Sequence, residues 1–228
     1  MPTFSLALSF TQTDLDRFYA TGTNVVIAKP NDGGAPNVAW LVCRPLIGNH
    51  ISWEELYGIY ASNSDVVNGA ALTQISSTSF PAVADKLYTM TPSGYVAGPA
   101  NGGSPGSYSL DNEYNNLPKG YLTVGLYQNA TVDTLPIAGN AVSAAPVLYG
   151  STATMTPYTT VYVWMQSQVR SNTVVTTVTS AMTQVTFGGD TPDVALQYNP
   201  STGTFIPAPQ AKEALSRGLR IRDLLPAL

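Results

Sequence analysis

The chain has 228 residues, a length at which an all-β fold commonly remains one domain. Charged side chains make up only 11% of it, so Thr, Ser, Asn, Gln and Tyr carry the polarity and the surface is dressed in neutral hydrogen-bonding groups. A net charge of -4, with Arg17, Lys29, Arg44, Lys86, Lys119 and Arg170 scattered singly, supplies no phosphate-tracking stripe and excludes nucleic acid as an expected partner, while a single cysteine excludes an intrachain disulfide framework.

From the N-terminus, Phe4, Leu6, Leu8 and Phe10 alternate with Thr3, Ser5, Ala7 and Ser9, which predicts a half-buried strand. This stretch has no basic leader and no long apolar run, so neither a signal peptide nor a membrane span is read from it; the compartment, extracellular or cytoplasmic, stays open. Thr13 to Tyr19 predicts a short helix capped by Thr13, with Asp14 and Asp16 near its positive end. Asn24 to Ala28 predicts a strand, and Lys29 to Pro36 a turn rich in proline and glycine.

Asn37 to Arg44 and Ile51 to Ala61 are the most strongly patterned stretches. In the second, Glu55 shares parity with Ile51, Trp53, Tyr57 and Ile59, so it is either an inward carboxylate that needs a partner or the mark of a bulge. Short strands are predicted at Leu72 to Ile75 and Lys86 to Met90. Ala97 to Lys119, crowded with Gly, Pro and Asn, reads as one long loop, the kind that is usually functional. Regular pattern resumes with Tyr121 to Val132, then Ala145 to Met155, Thr159 to Val169, Asn172 to Val178, Met182 to Phe187 and Val194 to Asn199. Trp40 and Trp164 each precede a second strand by about the same spacing, a faint internal echo.

Beyond Pro209 the character changes. Six basic residues face twelve acidic ones through position 210, and four face two after it. The expected organisation is therefore a single antiparallel β-sandwich, jelly-roll-like or Greek key, over residues 1–209, followed by a tail at 210–228, helical in part, that packs on the body or on a neighbouring subunit.

Catalytic chemistry finds little material. His50 is the only imidazole and Cys43 the only thiol; they flank a turn but lack a recognisable nucleophile setting. Glu54 and Glu55 point to opposite faces of a strand, which leaves Glu55 as the acid to watch. Calcium is the one cofactor considered, with Asp111 and Glu113 or Asp190 and Asp193 as oxygen ligands, although neither segment follows the twelve-residue calcium loop. The Thr-rich stretch Ser171 to Thr186 alternates imperfectly for a pore-forming hairpin, and Asn129-Ala130-Thr131 is a glycosylation sequon.

Tyrosine is the residue type worth following. Its 13 copies outnumber the 10 lysines and arginines, and Tyr95, Tyr108 and Tyr114 with Asn112 and Asn115 fall in or beside the Gly-rich loop. The sequence reading is non-enzymatic recognition of a neutral ligand such as a glycan through that face, in a homo-oligomer, with no integral membrane association. The rivals are a self-assembling structural subunit and a hydrolase or other enzyme using Glu55 or His50.

Overall fold

The computed structural model describes residues 2–117, 119–189 and 191–209. The chain opens with β1 (Thr3–Ser9), α1 (Gln12–Thr21), β2 (Thr23–Ala28), β3 (Val38–Ala39), β4 (Leu41–Cys43), β5 (Gly48–Glu54) and β6 (Gly58–Ser62). It continues through β7 (Gln74–Ser77), β8 (Leu87–Met90), β9 (Val96–Ala100), β10 (Tyr108–Asn112), β11 (Tyr121–Val132), β12 (Leu135–Ala141) and β13 (Ala145–Leu148). The last strands are β14 (Thr152–Met155), β15 (Thr160–Ser167), β16 (Thr173–Val174), β17 (Thr183–Thr186), β18 (Asp193–Asn199) and β19 (Thr204–Pro207).

The fold is all-β, built from four mostly antiparallel sheets and one short helix. A nine-stranded sheet runs β19, β18, β1, β5, β11, β6, β7, with β12 and β13 also paired to β11. Two four-stranded sheets run β14, β10, β8, β9 and β17, β15, β2, β4, and β16 pairs with β3. Purely antiparallel pairing is corrected in two places: β18 runs parallel to β1, and β8 parallel to β10. Each parallel partner reaches its neighbour after a long excursion of the chain, which a periodicity of two cannot reveal.

β1 buries Phe4, Leu6 and Leu8 as its alternation requires. The helix cap, however, is Thr11 and not Thr13. Thr11 Oγ1 accepts from the Asp14 backbone N–H at 3.2 Å while the Asp14 carboxylate accepts from the Thr11 N–H at 3.2 Å, a reciprocal box that starts the helix two residues earlier. Phe18 carries the helix onto Phe10 and Tyr198, at ring separations of 5.9 and 5.1 Å.

β11 is the hub. Nine of its twelve residues are buried, because it pairs with β5, β6, β12 and β13 and is covered on both faces. Its Gly125 is required: a Cβ there would lie 1.9 Å from the Ser143 carbonyl oxygen. The main core draws on residues of the nine-stranded sheet and of both four-stranded sheets, including Leu6, Ile27, Ile51, Leu110, Val124 and Val161, all fully or almost fully buried. Trp40 meets Trp53 edge to face at 5.5 Å inside it, whereas Trp164 belongs to a separate cluster with Val26 and Val175.

Two predicted spans are each broken in two. Ile51 to Ala61 is two strands separated at Glu55, set on either side of β11 in the same nine-stranded sheet, and Ala145 to Met155 changes sheet at the Tyr149–Ser151 turn. The expected long loop at Ala97 to Lys119 holds the end of β9 and all of β10, so its glycines punctuate strands. The β12 hairpin strand, which interrupts no hydrophobic pattern, escapes the sequence reading. Residues 210–228, expected as a tail, and Asp190, named as a calcium candidate, lie outside the described residues.

Candidate functional site

β2 is a buried strand, Val25-Val26-Ile27-Ala28, and it delivers Lys29 straight from that apolar run into the interior, where it is 2% exposed. A buried ammonium needs a counter-charge and hydrogen-bond acceptors. Both come from the break between β5 and β6. Lys29 Nζ donates to Glu55 Oε1 at 3.0 Å, to Glu55 Oε2 at 3.1 Å and to Tyr57 Oη at 2.6 Å. The Tyr57 hydroxyl donates to Glu55 Oε1, and Trp53 Nε1 donates to Glu55 Oε2 at 3.0 Å. The rings of Tyr57, Trp40 and Trp53 lie 4.8, 5.5 and 5.7 Å from the ammonium, within cation–π range.

The electrostatics follow from this burial. Desolvation lowers Lys29 to about 8 against the opposing pull of Glu55. Desolvation and the neighbouring Glu55 charge push Tyr57 well above its ordinary value, and desolvation with Glu55 also raises Tyr108. Glu55 is thus the inward carboxylate that the sequence required a partner for, and the strand break is what lets it turn to Lys29.

Lys29 and Tyr57 also line a cleft of about 430 Å³. One wall is β13, with Val147 and Leu148; another is β14, from Thr152 to Met155; the mouth is formed by Asn31, Asp32 and Tyr158. Leu126, Val142 and Ser143 complete the interior. Gly33, at φ +73°, brings its turn against the Tyr158 hydroxyl: a Cβ at Gly33 would sit 3.0 Å from that oxygen, so the glycine fixes the shape of the mouth.

The corner between β13 and β14 is held by Asn112. It is fully buried, its Nδ2 donates to the Val147 carbonyl at 3.0 Å, its Oδ1 accepts from the Tyr114 N–H at 3.1 Å, and its backbone bonds Ser151 and Gly150. Asn112 therefore positions the cleft from behind. Tyr108 is likewise a strand residue, 7% exposed, with its ring 5.9 Å from Tyr57. Both are corrected from loop-face contacts to interior residues, because β10 is a central strand of its sheet. Tyr114 is half-buried against the core, Asn115 is exposed, and Tyr95 is 56% exposed; none of the three lines the cleft.

The remaining candidates are dispersed. His50 is exposed on β5, with its backbone N–H donating to Asp133 Oδ1 at 2.8 Å. Burial and the Asp133 charge push the Cys43 thiol up to about 12, so it is held protonated near neutrality, unlike an activated nucleophile. Asp111 accepts from the Thr152 hydroxyl, Asp193 accepts from the Ser5 hydroxyl, and Glu113 is exposed. Among the described residues no three His, Cys, Asp or Glu side chains converge to hold a metal ion.

Sequence reasoning missed Lys29, Thr152, Thr154 and Tyr158. For Lys29 a signal existed: a lone cation that directly follows the apolar run Val25 to Ala28 must find an acid inside the protein. For the others there was none, since threonines on an edge strand look like threonines anywhere. Among the described residues no helix is long and apolar enough to cross a membrane. No family model, curated protein or solved structure matches this chain.

Proposed function

We propose that the protein is a non-enzymatic recognition module that binds a neutral, hydrogen-bonding ligand, with a short glycan as the model case, in the cleft between β13 and β14. The scaffold in this reading is a sandwich of jelly-roll or Greek-key type. One observation carries the proposal: the cleft is lined by the uncharged polar residues Asn31, Ser143, Thr154 and Tyr158 beside an apolar wall of Leu126, Val142, Val147 and Leu148, and its cation is already matched by Glu55. A neutral ligand loses little on desolvation at such a surface, whereas an anionic one finds no free counter-charge in Lys29. The volume lies in the range of ordinary small-ligand sites.

Titration of the isotope-labelled protein with neutral di- and trisaccharides tests this. The expected result is amide shifts at Asn31, Tyr158 and the β14 residues, lost at least tenfold in Tyr158→Ala with the melting temperature essentially unchanged. Saccharides that shift only residues distant from the cleft overturn the location, and turnover that is abolished by Glu55→Gln in a folded protein overturns the non-enzymatic reading.

A further inference from the structure

Sheet edges carry unpaired backbone groups, and natural proteins close them with proline, charge or side-chain hydrogen bonds. Three edges here are closed in that way. On β4 the Val42 N–H donates to Ser171 Oγ at 2.7 Å. On β9 the Val96 N–H donates to Ser76 Oγ at 2.8 Å, and Pro99 lies within the strand. On β19 the Phe205 N–H donates to Thr183 Oγ1 at 2.8 Å, and Pro207 ends it.

β14 is different. It pairs with β10 alone, in the register Tyr108 with Met155, Ser109 with Thr154, Leu110 with Ala153 and Asp111 with Thr152. Asn112 bonds Ser151 and Gly150, while Ser109 and Glu113 donate to β8 and its flank at Lys86 and Met90. The even-numbered residues of β10 therefore serve β14. Since the pattern alternates along an antiparallel pair, Ala153 and Met155 turn their N–H and C=O groups to β10, and Thr152 and Thr154 turn theirs outward. No loop or side chain among the described residues meets these outward groups, and the strand, Thr-Ala-Thr-Met, has neither proline nor charge. Its whole length borders the cleft.

We infer that the cleft accepts an extended, uncharged peptide segment of a partner protein, which adds as a strand to the free edge of β14. This rests on the recognition reading above and names the ligand class. The outward groups of Thr152 and Thr154 repeat at two residues, about 7 Å, which is the spacing at which a second strand presents its own N–H and C=O groups. A four-residue stretch of peptide matches the edge, about 13 Å long, with up to four backbone hydrogen bonds. Alternate side chains of that peptide face the apolar wall at Val147 and Leu148. Side chains that face this wall are uncharged, because a charge would be desolvated against it with Lys29 already paired; Asp32, the acid of the mouth, is exposed to water.

The probe is a capped hexapeptide of alternating threonine and valine, titrated into the labelled protein at millimolar concentration and read by amide shifts and hydrogen exchange. The expected outcome is exchange at the Thr152 and Thr154 amides slowed at least fivefold, with Ala153 unchanged because it is already bonded. Thr154→Pro, which removes an outward N–H that the sheet does not use, weakens binding at least tenfold, whereas Ile206→Val, exposed on β19 and outside the cleft, leaves it within twofold. The same peptide N-methylated at alternate amides serves if the proline variant fails to fold, and it too binds at least tenfold more weakly. Unshifted Thr152 and Thr154 amides, or equal binding by the N-methylated peptide, overturn the inference. Neutral saccharides that shift the cleft when the hexapeptide does not would leave the recognition reading standing and remove only the peptide; silence from both removes both.

Discussion

The Lys29 cluster and the β14 edge both set polar groups beside apolar walls, and they treat those groups in opposite ways. Around Lys29 both carboxylate oxygens, the ammonium, the Tyr57 hydroxyl and the Trp53 N–H are all bonded to one another. On β14, beside the cleft, two residues turn backbone donors and acceptors away from β10, with nothing among the described residues set against them. A closed network fixes one conformation and offers a partner nothing; an open edge offers hydrogen bonds at little cost in folding stability, because water can serve it. The buried ion pair thus reads as scaffold, and the neutral edge as the place where the proposed recognition would act.

The sharpest way to break that contrast is Lys29→Met. It leaves Glu55 buried without its counter-ion, and a loss of about 3–5 kcal/mol in denaturant unfolding is expected. Adding Glu55→Gln should return most of it, since removing both charges removes the uncompensated one; a double variant as unstable as the single would show that packing, and not charge, governs the site. Asn112→Ala comes next, at about 2–3 kcal/mol, through the Val147 carbonyl left unpaired in the interior.

The pH dependence separates the cluster from the rest of the chain. Lys29 titrates near 8 in the folded protein against an ordinary 10.5, so between these values the unfolded chain holds more protons and stability rises with pH, by roughly 1–3 kcal/mol. Cys43, raised to about 12 from an ordinary 9.0, and Tyr57, Tyr60 and Tyr108, raised chiefly by desolvation, act the other way: from about pH 9 the unfolded chain loses these protons first and stability falls. A maximum near pH 9 in urea midpoints is expected, and Lys29→Met should abolish the rise while keeping the fall. The smallest effect belongs to the edge: Thr154→Val should change stability by no more than about 0.5 kcal/mol, because its side chain is exposed and its outward backbone carries no part of the sheet.

Local pattern made much of this legible. The alternation at β1, the full span of β11 and the strand at β2 follow from side chains that must choose a face. Glu55 announced itself by parity, and its need for a partner was met. Tyr108 and Asn112 went astray for a definite reason: glycines and asparagines around them resemble a loop, while what buries them is the pairing of β10 with β8 and β14, whose partner residues lie 22 and 41 to 47 positions away along the chain. Lys29 could be seen but not placed, because its acid comes from another strand pair.

The amino-acid order by itself determined that the chain would be β-rich, poor in charge and dressed in hydroxyls and amides, because periodicity and composition are properties of neighbours in sequence. Only the tertiary structure decided which carboxylate answers Lys29, that two strands pair in parallel, and that β14 is left with a free edge beside a cleft. Those depend on which strand lies next to which, and pairing across long loops is set by the packing of the whole core.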